Sequence, residues 1–109
     1  GIPESRINVI GQLDDYITGT GFHIETYVGI IKKNTIFRVN KEEVSELILL
    51  PIEVLQNKTN IIWTSKKFGN KSYNFWKIKF LNYNIWGATA SILANLSVKV
   101  WDTKLQRAL

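Results

Sequence analysis

Three stretches of this 109-residue chain are apolar on both sides of a strand: Ile30-Ile31, Ile61-Ile62-Trp63 and Phe75-Trp76. Successive strand residues point to opposite faces of a sheet, so adjoining apolar residues call for cover on both. One segment of useful length supplies it. Ile85, Thr89, Ile92, Leu93, Leu96 and Val100 recur at spacings of three and four, which predicts an amphipathic helix with Asn84 as its N-cap. Gly87, Ala88, Ala90 and Ala94 are small and let that helix sit close to a sheet. The other helical stretch follows Pro51, a residue tolerated in a first turn, and sets Ile52 and Leu55 three apart on one face. One helix and one turn leave a sheet face without cover.

The remaining segments read as strands. In residues 5–13, Ile7, Val9 and Leu13 alternate with polar positions, with a bulge expected at Gly11. Residues 22–31 form the clearest strand, with Phe22, Ile24, Val28 and Ile30 on one face and His23, Glu25, Tyr27 and Ile31 on the other. Lys32-Lys33-Asn34 makes a turn, and residues 35–40 return as its hairpin partner. Gly69-Asn70 suits a two-residue hairpin turn between residues 60–68 and 71–80. In the second arm Trp76, Ile78 and Phe80 face one way, and Tyr73, Phe75, Lys77 and Lys79 the other. Trp63, Trp76 and Trp86 are expected in the core, with Trp101 partly exposed. The order of elements gives one domain of α+β or mixed α/β class.

Composition closes off several functions. Without cysteine there is no disulfide, thiolate metal site or cysteine nucleophile, and a lone histidine, His23, excludes paired-histidine chemistry. No apolar run approaches a membrane span and the first residues do not resemble a targeting signal, so a cytoplasmic setting is the default. The net charge of +5 points to an anionic partner, but the lysines are scattered rather than massed into a nucleic-acid-binding tail.

Three local features bear on chemistry. Gly19-Thr20-Gly21 lacks the third glycine of a dinucleotide fingerprint and the lysine of a P-loop, and it precedes a strand rather than a helix. Locally it reads as a turn. Asp14 and Asp15 adjoin on an extended chain and so point apart, which suits turn or capping roles better than a shared substrate atom. His23 reads as a structural histidine with no evident partner. Tyr73, Phe75, Lys77 and Lys79 either form a sheet face awaiting cover or a basic, aromatic platform of the kind that binds nucleic acid or nucleotides without catalysis.

Taken in order, residues 9–31, 38–55 and 84–96 resemble the C-terminal part of Nudix hydrolases, in particular their coenzyme A pyrophosphatase-like branch. The segments Leu13–Ile24 and Ile85–Ala90 carry most of that resemblance. Glu25-Thr26 departs from it, standing where the branch has a proline, which bears on local strand geometry more than on the resemblance. The resemblance implies a partial α/β/α sandwich with a mixed sheet, a C-terminal helix, and the glutamate-rich Nudix box helix missing. Gly1-Ile2 match the last two positions of the box, so the chain is expected to begin where the catalytic element finishes.

That implied box helix is also the layer wanted on the uncovered face. A complete enzyme of this kind hydrolyses a nucleoside diphosphate derivative such as coenzyme A, with Mg2+ or Mn2+ held by box glutamates. Residues 1–109 alone are then expected to be inactive and to bind no metal. Glu46 matches an accessory carboxylate, a further metal ligand or base, against the plainer reading of a solvent-facing acid. Thr18, Thr20 and Phe22 fall where a substrate-lining loop is implied, with a passive turn as the equal alternative. The expected partner is a nucleotide-type small molecule, and a homodimer is a second way to hide the open face.

Overall fold

In the computed structural model, residues 1–105 are described, and the packed part of the chain is built on one hairpin. Its arms, β5 (Ile61–Phe68) and β6 (Lys71–Phe80), pair antiparallel along their whole length around Gly69-Asn70. Gly69 has φ 62°, the conformation that a two-residue turn reserves for glycine at its first central position. A short β7 (Tyr83–Ile85) pairs antiparallel with residues 78–80 of β6.

The register decides the faces. Ile61, Trp63, Trp76, Ile78 and Ile85 share one side, where Trp63 and Trp76 meet edge to face with centroids 4.9 Å apart. Helix α2 (Gly87–Trp101) lies over that side. The residues it buries there are Ala90 and Ala94, because only side chains this small let a helix backbone approach a sheet bearing tryptophan and isoleucine. Ser97, one turn further on, is fully buried and donates its hydroxyl to the carbonyl of Leu55. Leu55 belongs to the one-turn helix α1 (Ile52–Gln56), which closes the end of the core.

Residues 1–49 pack differently. Strand β1 (Ile7–Gln12) pairs antiparallel with β4 (Tyr27–Ile31), with the register shift at Val9–Gly11 that the glycine implied. A second ribbon joins β2 (Tyr16–Ile17) to β3 (His23–Ile24). Of all these residues only Leu13 is buried, while Val9, Ile10, Ile17, Phe22, Ile30, Ile36 and Leu49 lie open to solvent. The accessible surface of the chain is 8745 Å², against roughly 6200 Å² for a compact monomer of this mass. The shortage of cover visible in the sequence is therefore a property of the folded chain.

The α+β inventory holds, and the pairing among the described residues is antiparallel, divided over three sheets. Several local expectations do not hold. The long strand at 22–31 breaks at Glu25-Thr26 into β3 and β4. Strand β4 takes β1 as its partner, and residues 35–40 form no ladder. Asn84 is not an N-cap: it lies in β7 opposite Lys79, and the helix starts at Gly87 behind Trp86. Trp86 and Ile52 are exposed, while Trp101 is partly exposed as expected and packs against the core.

Candidate functional site

Glu46 sits just beyond the turn at residues 41–43, and its carboxylate accepts a hydrogen bond from the Tyr83 hydroxyl. Strand β7 holds Tyr83 in place opposite Phe80, whose ring it stacks against with centroids 6.3 Å apart. The bond to Glu46, then partial desolvation and the carboxylate charge, raise the Tyr83 pKa above its usual 10.0. A raised tyrosine keeps its proton, so this tether is complete below the ordinary phenol range and is lost as pH climbs through the higher folded value. Glu46→Gln is expected to lower the Tyr83 midpoint, read from near-ultraviolet phenolate absorbance. An unchanged midpoint would mean that the contact is absent in solution.

The segment around Gly19 is a closed hairpin turn. Thr18 N–H donates to the Phe22 carbonyl at 2.8 Å, Gly21 N–H to the Thr18 carbonyl at 2.9 Å, and Phe22 N–H to the Thr18 hydroxyl at 3.0 Å. The Thr18 and Thr20 hydroxyls lie 3.0 Å apart, and Gly21 takes φ 92°. Thr18, Thr20 and Phe22 are thus brought together, with the Phe22 ring exposed, while Glu46 is engaged elsewhere by Tyr83.

Beside this turn His23 has the partner that sequence reading did not find. Its Nε2 lies 2.7 Å from Asp15 Oδ2 across the β2–β3 ribbon. Asp14 points the other way, as adjacent residues on an extended chain must. Its carboxylate accepts from Asn95 Nδ2 at 3.0 Å and lies 3.3 Å from Lys99 Nζ, while its own N–H donates to Asn95 Oδ1 at 3.1 Å. The two aspartates do not share a substrate atom, nor are they confined to local turn roles. They tie the ribbon together and fasten it to α2. A cavity of about 600 Å³ lies there, with Asp14, Tyr16, Asn74, Phe75, Ser91 and Asn95 among its lining residues.

Magnesium and manganese ions need several oxygen ligands converging on one point. Among the described residues no group of three or more His, Asp or Glu side chains is placed to do this. Glu46, Asp14 and Asp15 occupy separate positions with separate partners, so these residues by themselves do not fit such an ion.

The geometry alone therefore offers an anchored carboxylate, a hydroxyl-bearing turn and no metal centre. Comparison with known proteins supplies the context. The chain is 33% identical over 100 residues to the uncharacterized Nudix hydrolase NudL of Salmonella paratyphi B and to that of Salmonella newport, covering 91% of this chain. It is 29% identical over 99 residues to the NudL of Yersinia enterocolitica. Similarity to these Nudix hydrolases thus extends over nine tenths of the chain. The chain spans about half the length of these Nudix relatives, 51% and 52% of them. No family model matches it, and no solved structure matches it. Within the described residues, sequence reasoning missed Tyr83 and Asn95. Their partners lie 37 and 81 residues away, distances at which no spacing rule carries a signal.

Proposed function

We propose that residues 1–109 are the C-terminal portion of a single Nudix domain. The whole protein is a cytoplasmic, metal-dependent diphosphatase that cleaves a nucleoside diphosphate derivative, with coenzyme A the leading candidate. The observation that carries this reading is the similarity to Nudix hydrolases across 91% of the chain. The open apolar surface of residues 1–49 supports it, since a face of this kind is stable only with a further layer over it.

Three roles follow for residues of this chain. Glu46, oriented by Tyr83 through one carboxylate oxygen, keeps its other oxygen for a water molecule or an accessory ligand position. Thr18 and Thr20 offer hydroxyls to the substrate from a turn that is already closed, and Phe22 offers an exposed ring. On this reading the principal metal ligands are box glutamates that have no counterpart in this sequence, and residues 1–109 by themselves are inactive.

The test is a diphosphatase assay with Mg2+ or Mn2+ on coenzyme A and on ADP-ribose. The 109-residue chain is expected to give no turnover, and joining it to the part of a NudL relative that it does not cover is expected to give turnover. In that active form Glu46→Gln should lower kcat by roughly a hundredfold, the usual order for loss of a positioned base. Turnover by the 109 residues alone would overturn the inactivity, and an inert joined form would overturn the family activity.

A further inference from the structure

The side of the β5–β6–β7 sheet opposite α2 carries a second set of residues that diphosphate chemistry does not use. Strand alternation and register put Lys66 opposite Tyr73, Phe68 opposite Lys71, Thr64 opposite Phe75 and Ile62 opposite Lys77 on this side. Lys79 follows on the same side of β6, opposite Asn84 of β7. Phe68 and Tyr73 meet edge to face with centroids 5.6 Å apart, and Phe75 meets Trp86 at 6.2 Å. Lys66 Nζ stands 5.3 Å above the Phe68 ring. Among the described residues no helix covers these rings: Phe68, Tyr73 and Trp86 remain 54%, 49% and 64% exposed.

The charge around this face has one sign. Residues 54–101 contain seven lysines and not a single Asp or Glu. Through Glu53 the chain has eight carboxylates against five basic residues, and beyond it one against nine. The basic character of the protein is therefore concentrated in the half that carries this sheet. Lys99 is paired with Asp14, but Lys66, Lys71, Lys77 and Lys79 make no ion pair among the described residues and raise the local concentration of anions.

We propose that this face binds single-stranded nucleic acid, with Tyr73, Trp86 and Phe68 as stacking surfaces and Lys66, Lys71, Lys77 and Lys79 as phosphate contacts. Two exposed aromatic centres in a lysine frame match what an unpaired strand presents, bases with two π faces alternating with phosphates. A duplex hides its bases and cannot use the rings. Nothing at this face reads a base edge, so recognition tolerates sequence. The proposal uses none of Glu46, Thr18, Thr20 or Phe22.

The experiment titrates the intact protein with oligo(dT) and follows tryptophan fluorescence, to which the exposed Trp86 contributes. Quenching is expected at low salt. With four phosphate contacts, the logarithm of the association constant should fall against the logarithm of salt with a slope of about −3. Tyr73→Ala, at an exposed position, should weaken binding by about tenfold, the order of one lost base–aromatic stack. Lys71→Ala with Lys77→Ala should roughly halve the slope. The same oligonucleotide in duplex form should bind more weakly and be indifferent to Tyr73→Ala. Absence of quenching at low salt would overturn the proposal. So would inorganic polyphosphate competing on equal terms while Tyr73→Ala changes nothing, since binding would then need only charge.

Discussion

Ile78→Ala is expected to destabilise the fold by about 3–5 kcal/mol, within the range for truncating a large aliphatic residue in a closed core. Ile78 is 0% exposed and lies on the one strand paired on both sides, opposite Ile61 of β5 and Ile85 of β7. It belongs to the same cluster as Ala90 and Ala94 of the covering helix. A cavity there can be filled only by moving the helix and both neighbouring strands together, so little relaxation is available. Ordinary domains are stable by about 5–15 kcal/mol in total, and this chain has much of its apolar surface uncovered. Urea unfolding should therefore show either a large drop in midpoint or no folded baseline. A midpoint like that of the unaltered chain would mean that the β6 register is wrong.

Ala90→Leu should cost about 1–3 kcal/mol by overpacking, although leucine is the better apolar residue by transfer energy. Ala90 is fully buried, and the helix rides as close to the sheet as an alanine permits. The isobutyl group must push α2 off Trp76 and Ile78 or adopt a strained rotamer. The contrasting change is Val100→Ala on the exposed part of the same helix, expected to stay within about 0.5 kcal/mol as at most open positions. Thermal or urea unfolding of the pair decides which helix face is inside. If Val100→Ala proved the costlier, the helix would be rotated from the arrangement described.

That comparison also shows where a sequence pattern runs out. The periodicity from Ile85 to Val100 announced a helix, and a helix is there. The same pattern pointed its larger apolar residues inward, whereas the fully buried apolar positions of α2 are Ala90 and Ala94. Periodicity ranks faces by hydrophobicity, while packing ranks them by fit. A sheet face bearing two tryptophans and Ile78 leaves room for methyl groups. Trp86 is the converse: its composition says core, yet it stands just before α2 on the far side of the sheet, where no element among the described residues covers it.

The candidate site divides along a similar line. Thr18, Thr20 and Phe22 were legible as a group because a closed turn is a local event, settled by glycine conformations and hydrogen bonds spanning four residues or fewer. Glu46 could be singled out by resemblance, but its hold on Tyr83 could not, and neither could the pairing of Asp14 with Asn95 and Lys99. His23 was read as having no partner, yet Asp15 is only eight residues away across a ribbon two residues wide. A ladder that short leaves too little periodicity to reveal its register.

By itself the sequence determined the hairpin at Gly69-Asn70, the bulge at Gly11, the presence of the closing helix, and the want of cover for apolar strands. Each of these follows from short-range backbone preferences or from a plain count of what must be buried against what can bury it. The tertiary structure alone decided which strand pairs with β4, which side of α2 turns inward, and which distant side chain steadies each carboxylate. Those outcomes depend on contacts between residues dozens of positions apart, where steric fit and hydrogen-bond geometry select among arrangements that the local pattern leaves equal.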